Sequence, residues 1–152
     1  MAGIISISGP IVKVSIGNEF VRIQDVVYVG ALGLIGEVIE RDKQSAVVQV
    51  YEETEGLRLG EEVVFTGEML SAELGPGLLG SIYDGIQRPL ELLGRQMQKG
   101  VQLDSLDKEK RWHFVPSVKI GDSVKAGTLM GIVADERDFE YRIMIPTEKS
   151  VV

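Results

Sequence analysis

From residue 4 to about residue 65, short runs rich in Val and Ile alternate with turn residues, a pattern of half-buried β-strands rather than helices. The runs fall at 4–8, 11–16, 25–29, 34–41, 45–51 and 62–65. The clearest is 11–16: a strand turns successive side chains to opposite faces, so Val12, Val14 and Ile16 share one side and Lys13 and Ser15 the other. Gly9 with Pro10, Gly17 with Asn18, and the stretch from Arg41 to Gln44 supply turns. Six short strands connected this closely predict a closed barrel, because closure removes the edges that invite aggregation.

The pattern breaks at Glu73. The segment ELGPGLLGSIYDGIQRPL, Glu73–Leu90, holds four glycines and two prolines, and between its end residues only Asp84 and Arg88 are charged. Such a stretch sets backbone shape and brings little chemistry of its own. Pro89 suits the first turn of a helix, where its missing N–H costs nothing. Leu90, Leu93 and Met97 then recur at helical spacing, and Gly100 offers a stop. The result expected is a short helix with one apolar stripe, packed on its own barrel. LDSLDKEK, residues 103–110, is polar and charged and marks a domain boundary. From Arg111 the strand pattern returns in RWHFVPSVKIGDSVKAGTLMGIV, a charged DERD turn and FEYRIMIP, with Gly121, Gly127 and Gly131 expected at tight turns.

Composition narrows the function. A net charge of -7 with the basic residues dispersed among the acids is the opposite of a nucleic-acid footprint, and 6% aromatic content leaves few stacking platforms. With no cysteine, disulfides and thiolate metal sites are excluded. No apolar run approaches the roughly 20 residues that a bilayer needs. The N-terminal MAGIISISGP lacks the basic and apolar regions of a secretion signal, so a cytoplasmic setting is expected.

Each candidate site then meets a plainer reading. Gly75, Gly77 and Gly80 satisfy G-x-G-x-x-G, but Pro76 deletes an amide donor and Gly85 interrupts the helix a pyrophosphate would need. A glycine-shaped bend accounts for them better. An ATP phosphate loop requires a lysine between glycine and Ser or Thr, and none exists: Lys99 precedes Gly100, Lys125 precedes Ala126, and Lys149 follows Glu148. His113, the sole histidine, has no metal-binding companions; in a strand Trp112 and Phe114 would share the opposite face. Glu52, Glu53 and Glu55 form an acidic run that reads as a solvated turn rather than a cation site. No serine has an evident base. No catalytic, cofactor-binding or metal-ligating residue is expected in the chain.

Two resemblances remain. VKIGDSVKAGTLMGIV, residues 118–133, is similar to the glycine-punctuated hairpins of lipoyl and biotinyl carrier domains, which makes a carrier or adaptor the alternative reading; the downstream DERDFEY lacks the lysine such carriers modify. More extensively, SGPIVKV, GLIGEVIE, VVQVYEETEGL, TGEMLSAELGPGLLGSIYDGIQRPL and WHFVPSVKIGDSVKAGTLMGIV resemble, in order, the N-terminal part of the catalytic A subunit of V-type and archaeal-type rotary ATPases. The resemblance implies a mainly β fold: a six-stranded barrel at 1–72 acting as a collar, a Gly/Pro-rich linker with a short helix at 73–110, and an incomplete barrel-sandwich-hybrid insert, or bulge, at 111–152. It further implies the ATPase B subunits, neighbouring A subunits and stator subunits as partners, peripheral membrane association through the complex, and ATP or ADP with Mg in the parent protein. The family's nucleotide-binding residues lie beyond the insert, so none is carried onto this chain, which is expected to stop within the insert and leave strand edges unpaired.

Overall fold

The computed structural model describes residues 2–94, 99–134 and 139–146. The chain divides into two compact units, one of Met1–Ala72 with Glu91–Leu103, the other of Glu73–Leu90 with Asp104–Val152.

The first unit is a six-stranded antiparallel sheet of β1 (Ile4–Ser8), β2 (Ile11–Ser15), β3 (Asp25–Val29), β4 (Leu34–Arg41), β5 (Ser45–Val50) and β6 (Val63–Met69). Its strand order is β1-β2-β5-β4-β3-β6. The alternation in β2 works as read: Val12, Val14 and Ile16 are buried, while Lys13 is exposed. These side chains join Val27, Val29, Leu34, Val38, Val48 and Val63 in one aliphatic core. Burying each such side chain stabilises the fold by roughly 1.5–3 kcal/mol, so the core carries the unit.

Full closure is not reached. The outer strands β1 and β6 meet through one isolated bridge, Gly3 to Glu62, and through hydrogen bonds from Ile4 N to Glu61 O (3.0 Å), Gly60 N to Ile4 O (2.9 Å) and Val63 N to Ala2 O (3.2 Å). β1 slips in register against β2, between Ile4 and Ser6. The far end of β6 also slips, between its pairs Val27–Phe65 and Asp25–Met69, where Gly67 takes φ 70°.

Among the described residues of this unit, one charged group is fully buried. Asp25 accepts hydrogen bonds from the Arg22 amide (2.8 Å) and Arg22 Nε (3.2 Å), while Arg22 Nη2 donates to the Gly67 carbonyl. The loop before β3 is thereby tied to the bulge in β6, which is why the carboxylate is tolerated out of water.

The helix α1 (Leu90–Leu93) is shorter than expected. Gly94, at φ 68°, adopts the left-handed conformation that ends helices, ahead of the expected stop at Gly100. Met97 lies outside the described residues. Leu93 is the buried member of the stripe; Leu92 is 69% exposed.

The second unit holds a three-stranded antiparallel sheet, β7 (Phe114–Pro116), β8 (Leu129–Ala134) and β9 (Glu140–Met144), in that order. Gly121 (φ 95°) and Gly127 (φ 79°) occupy turns as expected. Gly131 does not. It lies inside β8, where an added Cβ would run into the Phe114 ring and the Val115 carbonyl, so its role is close strand approach. The DERD turn, the residues expected to follow the β8 strand, lies outside the described residues.

Candidate functional site

The segment Glu73–Leu90 folds on itself into a clasp. Asp84 Oδ1 accepts the amides of Ile86 (3.1 Å) and Arg88 (2.8 Å), and Asp84 Oδ2 accepts Arg88 Nε (2.7 Å). Main-chain bonds from Asp84 N to Arg88 O (3.1 Å) and Leu90 N to Ile82 O (2.9 Å) close the turn, with Tyr83 bridged to Pro89. Arg88 is 8% exposed. Burial pushes the Asp84 carboxyl up, but hydrogen bonds from the Arg88 amide and guanidinium and from the Ile86 amide outweigh it and hold the group below its ordinary value.

A second fastening escaped sequence reasoning. Gln87 holds φ 62°, rare for a side chain of this size, and its amide group bonds both polar atoms of the Glu73 main chain. Glu73 N donates to Gln87 Oε1 (2.6 Å), and Gln87 Nε2 donates to Glu73 O (2.7 Å). The side chain substitutes for a paired strand and joins the segment's start to its end. Only the neighbouring Gly85 hinted at an unusual turn; the strain falls two residues later.

The three glycines of the dinucleotide pattern serve packing and turning. An added Cβ at Gly75 would meet Leu106 Cδ1 at 2.9 Å, and one at Gly77 would meet Trp112 Cζ2 at 3.2 Å. Gly77 and Gly80 have positive φ. Gly75 O and Leu78 O accept the amides of Leu78 and Ser81, respectively, so this stretch is a pair of turns and opens no helix. Trp112 precedes β7 instead of sharing a strand face with Phe114; it is half-buried, with Lys110 Nζ 4.3 Å from its ring centroid. His113 is exposed.

The acidic run lies in the first unit along a shallow groove with Gly9, Pro10 and Tyr51. Its carboxylates already have partners. Glu52 Oε2 accepts the Gly100 amide (2.7 Å), and Lys99 Nζ lies 3.2 Å from Glu53 and 3.7 Å from Glu55. No cluster suited to a metal ion occurs among the described residues. Beside the run, burial, a 2.6 Å hydrogen bond to Glu37 and the charge of that carboxylate raise the Tyr51 phenol to about 12. Lys125 sits in a turn closed by Thr128, and Lys149 lies outside the described residues.

Comparison with known proteins fits this geometry. Residues 4–67 match the family model described as "ATP synthase alpha/beta family, beta-barrel domain", and residues 103–151 match the model for the barrel-sandwich domain of the ATP synthase alpha/beta subunit. The chain belongs to the ATP synthase alpha/beta family. Within that family it is 51% identical over 148 residues to a V-type ATP synthase alpha chain of Streptococcus gordonii, covering 94% of this chain and 25% of the relative. It is 49% identical over 154 residues to the A subunit of the A-type ATP synthase of Thermococcus sibiricus, covering 97% of this chain and 26% of that relative. The chain therefore spans about a quarter of the length of these relatives. It corresponds to their N-terminal part, as the sequence blocks implied. The carrier alternative gains no support from them.

Among solved structures, the assembled ATPase EscN of the enteropathogenic E. coli type III secretion system is similar, with a TM-score of 0.53, 28% identity, and coverage of 59% of this chain and 21% of that one. A second structure, EscN in complex with its central stalk EscO, has a TM-score of 0.55 at 23% identity, covering 85% of this chain and 30% of that chain, and speaks to the fold alone. No helix among the described residues is long and apolar enough to cross a membrane.

Proposed function

We propose that this chain is the structural N-terminal portion of the catalytic A subunit of a V/A-type ATPase, the machine that couples ATP synthesis or hydrolysis to proton or sodium translocation. The observation that carries the reading is the order of the two matched domains, barrel then barrel-sandwich, within sequence about 50% identical to such subunits along nearly the whole chain. In this reading residues 1–72 form a collar that holds the A and B subunits together. Residues 73–110 are the joint and short helix, and residues 111–152 are part of the bulge facing stator subunits. The complex sits on the cytoplasmic side of its membrane as a peripheral assembly.

ATP or ADP with Mg belongs to the parent protein, whose phosphate loop lies outside this sequence. The absence here of any lysine set between glycine and Ser or Thr supports that assignment. Titration calorimetry of the chain with Mg-ATP is the test. The reading expects no saturable heat up to millimolar nucleotide, and saturable binding at micromolar nucleotide would overturn it.

A further inference from the structure

Among aspartyl dipeptides, Asp-Gly cyclises most readily to a succinimide, because glycine leaves its own amide nitrogen unshielded. This chain carries the pair at Asp84–Gly85. Gly85 is exposed, and an added Cβ would find no atom within 4 Å, so neither water nor the cyclic product meets a steric barrier there. The carboxylate is the opposite. Oδ1 accepts two main-chain amides, at 3.1 and 2.8 Å, and Oδ2 accepts Arg88 Nε at 2.7 Å. Cyclisation expels one of these oxygens as water after it takes up a proton, so the leaving oxygen must first shed its donor. The main-chain bonds Asp84 N to Arg88 O and Gln87 N to Asp84 O, both 3.1 Å, oppose the rotation that would bring Cγ onto the Gly85 nitrogen.

We propose that Asp84–Gly85 is an isomerisation site held dormant by the Arg88 clasp, and that opening the clasp releases conversion of Asp84 to isoaspartate. In the step, the Gly85 nitrogen bonds to Asp84 Cγ, its hydrogen leaves as a proton, and the protonated carboxyl oxygen departs as water. Water then adds at the former main-chain carbonyl of Asp84 and breaks its bond to Gly85 nitrogen. One water is lost and one gained, so mass is unchanged. The main chain now runs through the side-chain methylene and the free carboxylate sits on Cα, so the bonds to Ile86 and Arg88 cannot re-form in their original geometry. Isoaspartate at this position is thus a lasting record that the joint has opened. The inference does not depend on the function proposed above.

The test incubates the 152-residue chain at neutral pH and body temperature, folded and in guanidinium. Isoaspartate is quantified by enzymatic methylation with an isoaspartyl methyltransferase and located by electron-transfer mass spectrometry. Asp104–Ser105, whose aspartate is 66% exposed and pairs with the surface Lys108, serves as the internal clock. In the unfolded chain Asp84 should react faster than Asp104. Folding should slow Asp84 by about tenfold or more, the factor set by losing one charge-assisted hydrogen bond, and invert the order. Arg88→Gln should restore most of the rate in a chain whose β7–β9 amides remain protected, with Arg88→Met as the second variant should the first unfold. Gly85→Ala should slow isoaspartate formation at Asp84 in the unfolded chain, because the added methyl group shields the attacking nitrogen. Equal rates in folded and unfolded chain would overturn the proposal, as would full protection in a folded Arg88 variant.

Discussion

Gly36 is a position where one added methyl group should harm the first unit through packing alone. It lies within β4, paired with Val27 on one side and Val50 on the other, and its φ is not in the left-handed region, so alanine meets no backbone penalty there. The obstacle is space. An added Cβ would lie 2.7 Å from Gln49 O, 2.9 Å from Val48 Cγ1 and 3.1 Å from Val50 Cα. Two of those atoms are main chain of β5, which is laddered to β2 on one edge and β4 on the other, so β5 cannot yield without stretching both ladders. Overpacking of this kind costs about 1–3 kcal/mol, and a clash with a central strand belongs near the upper end. For a domain of this size each kcal/mol lowers Tm by about 4–8 °C, so Gly36→Ala should depress the barrel transition by about 10–20 °C. Differential scanning calorimetry reads it directly. Gly85→Ala is the control: no positive φ, no neighbour within 4 Å, and an expected change within about 1 kcal/mol. A Gly36→Ala transition within about 2 °C of the parent would refute the packing argument.

Three further expectations follow from single groups. Asp25→Ala strips the Arg22 amide and guanidinium of their buried acceptor and should destabilise the first unit by about 1.5–3 kcal/mol in urea melts; a smaller change would mean water replaces the carboxylate. Because the Asp84 carboxyl is held below its ordinary 3.8, its contribution is fully present above that pH and is lost as pH falls through the lower folded value. The Ile86 and Arg88 amide signals should titrate below 3.8, and a midpoint at or above it would contradict the clasp. Tyr51 should ionise near pH 12, so Tyr51→Phe should remove a step near that pH from an ultraviolet absorbance titration, and an unchanged step there would contradict the Glu37 contact.

The sequence made the strands legible where burial alternates residue by residue. In β2, β4 and β5 every second residue is buried, Val12 and Val14, Leu34, Gly36 and Val38, and Ala46, Val48 and Val50, which leaves one register; β1 and β3 coincide with the runs 4–8 and 25–29 without such alternation, since Val26 and Val27 are both buried. The misreadings are tertiary. The β6 strand outruns its apolar run, reaching Met69, because pairing across the Gly67 bulge to Asp25 rewards polar residues that carry no strand signal themselves. Gly94 and Gly100 are equally plausible helix stops in a sequence; the chain uses the first, while Gly100 passes close to the Leu32 carbonyl. Gly131 resembles a turn residue until Phe114 is seen lying over it. The joint's composition was readable from four glycines and two prolines, but its fastening by Gln87 was not, since nothing in a glutamine announces a left-handed backbone.

The collar assignment is tested most directly in the complete catalytic protein. Residues 4–67 are removed, nucleotide binding is checked, and assembly with the B subunits is followed by native mass spectrometry. The account predicts a protein that still binds nucleotide and no longer forms the hetero-oligomeric ring. Rings at undiminished abundance would contradict it.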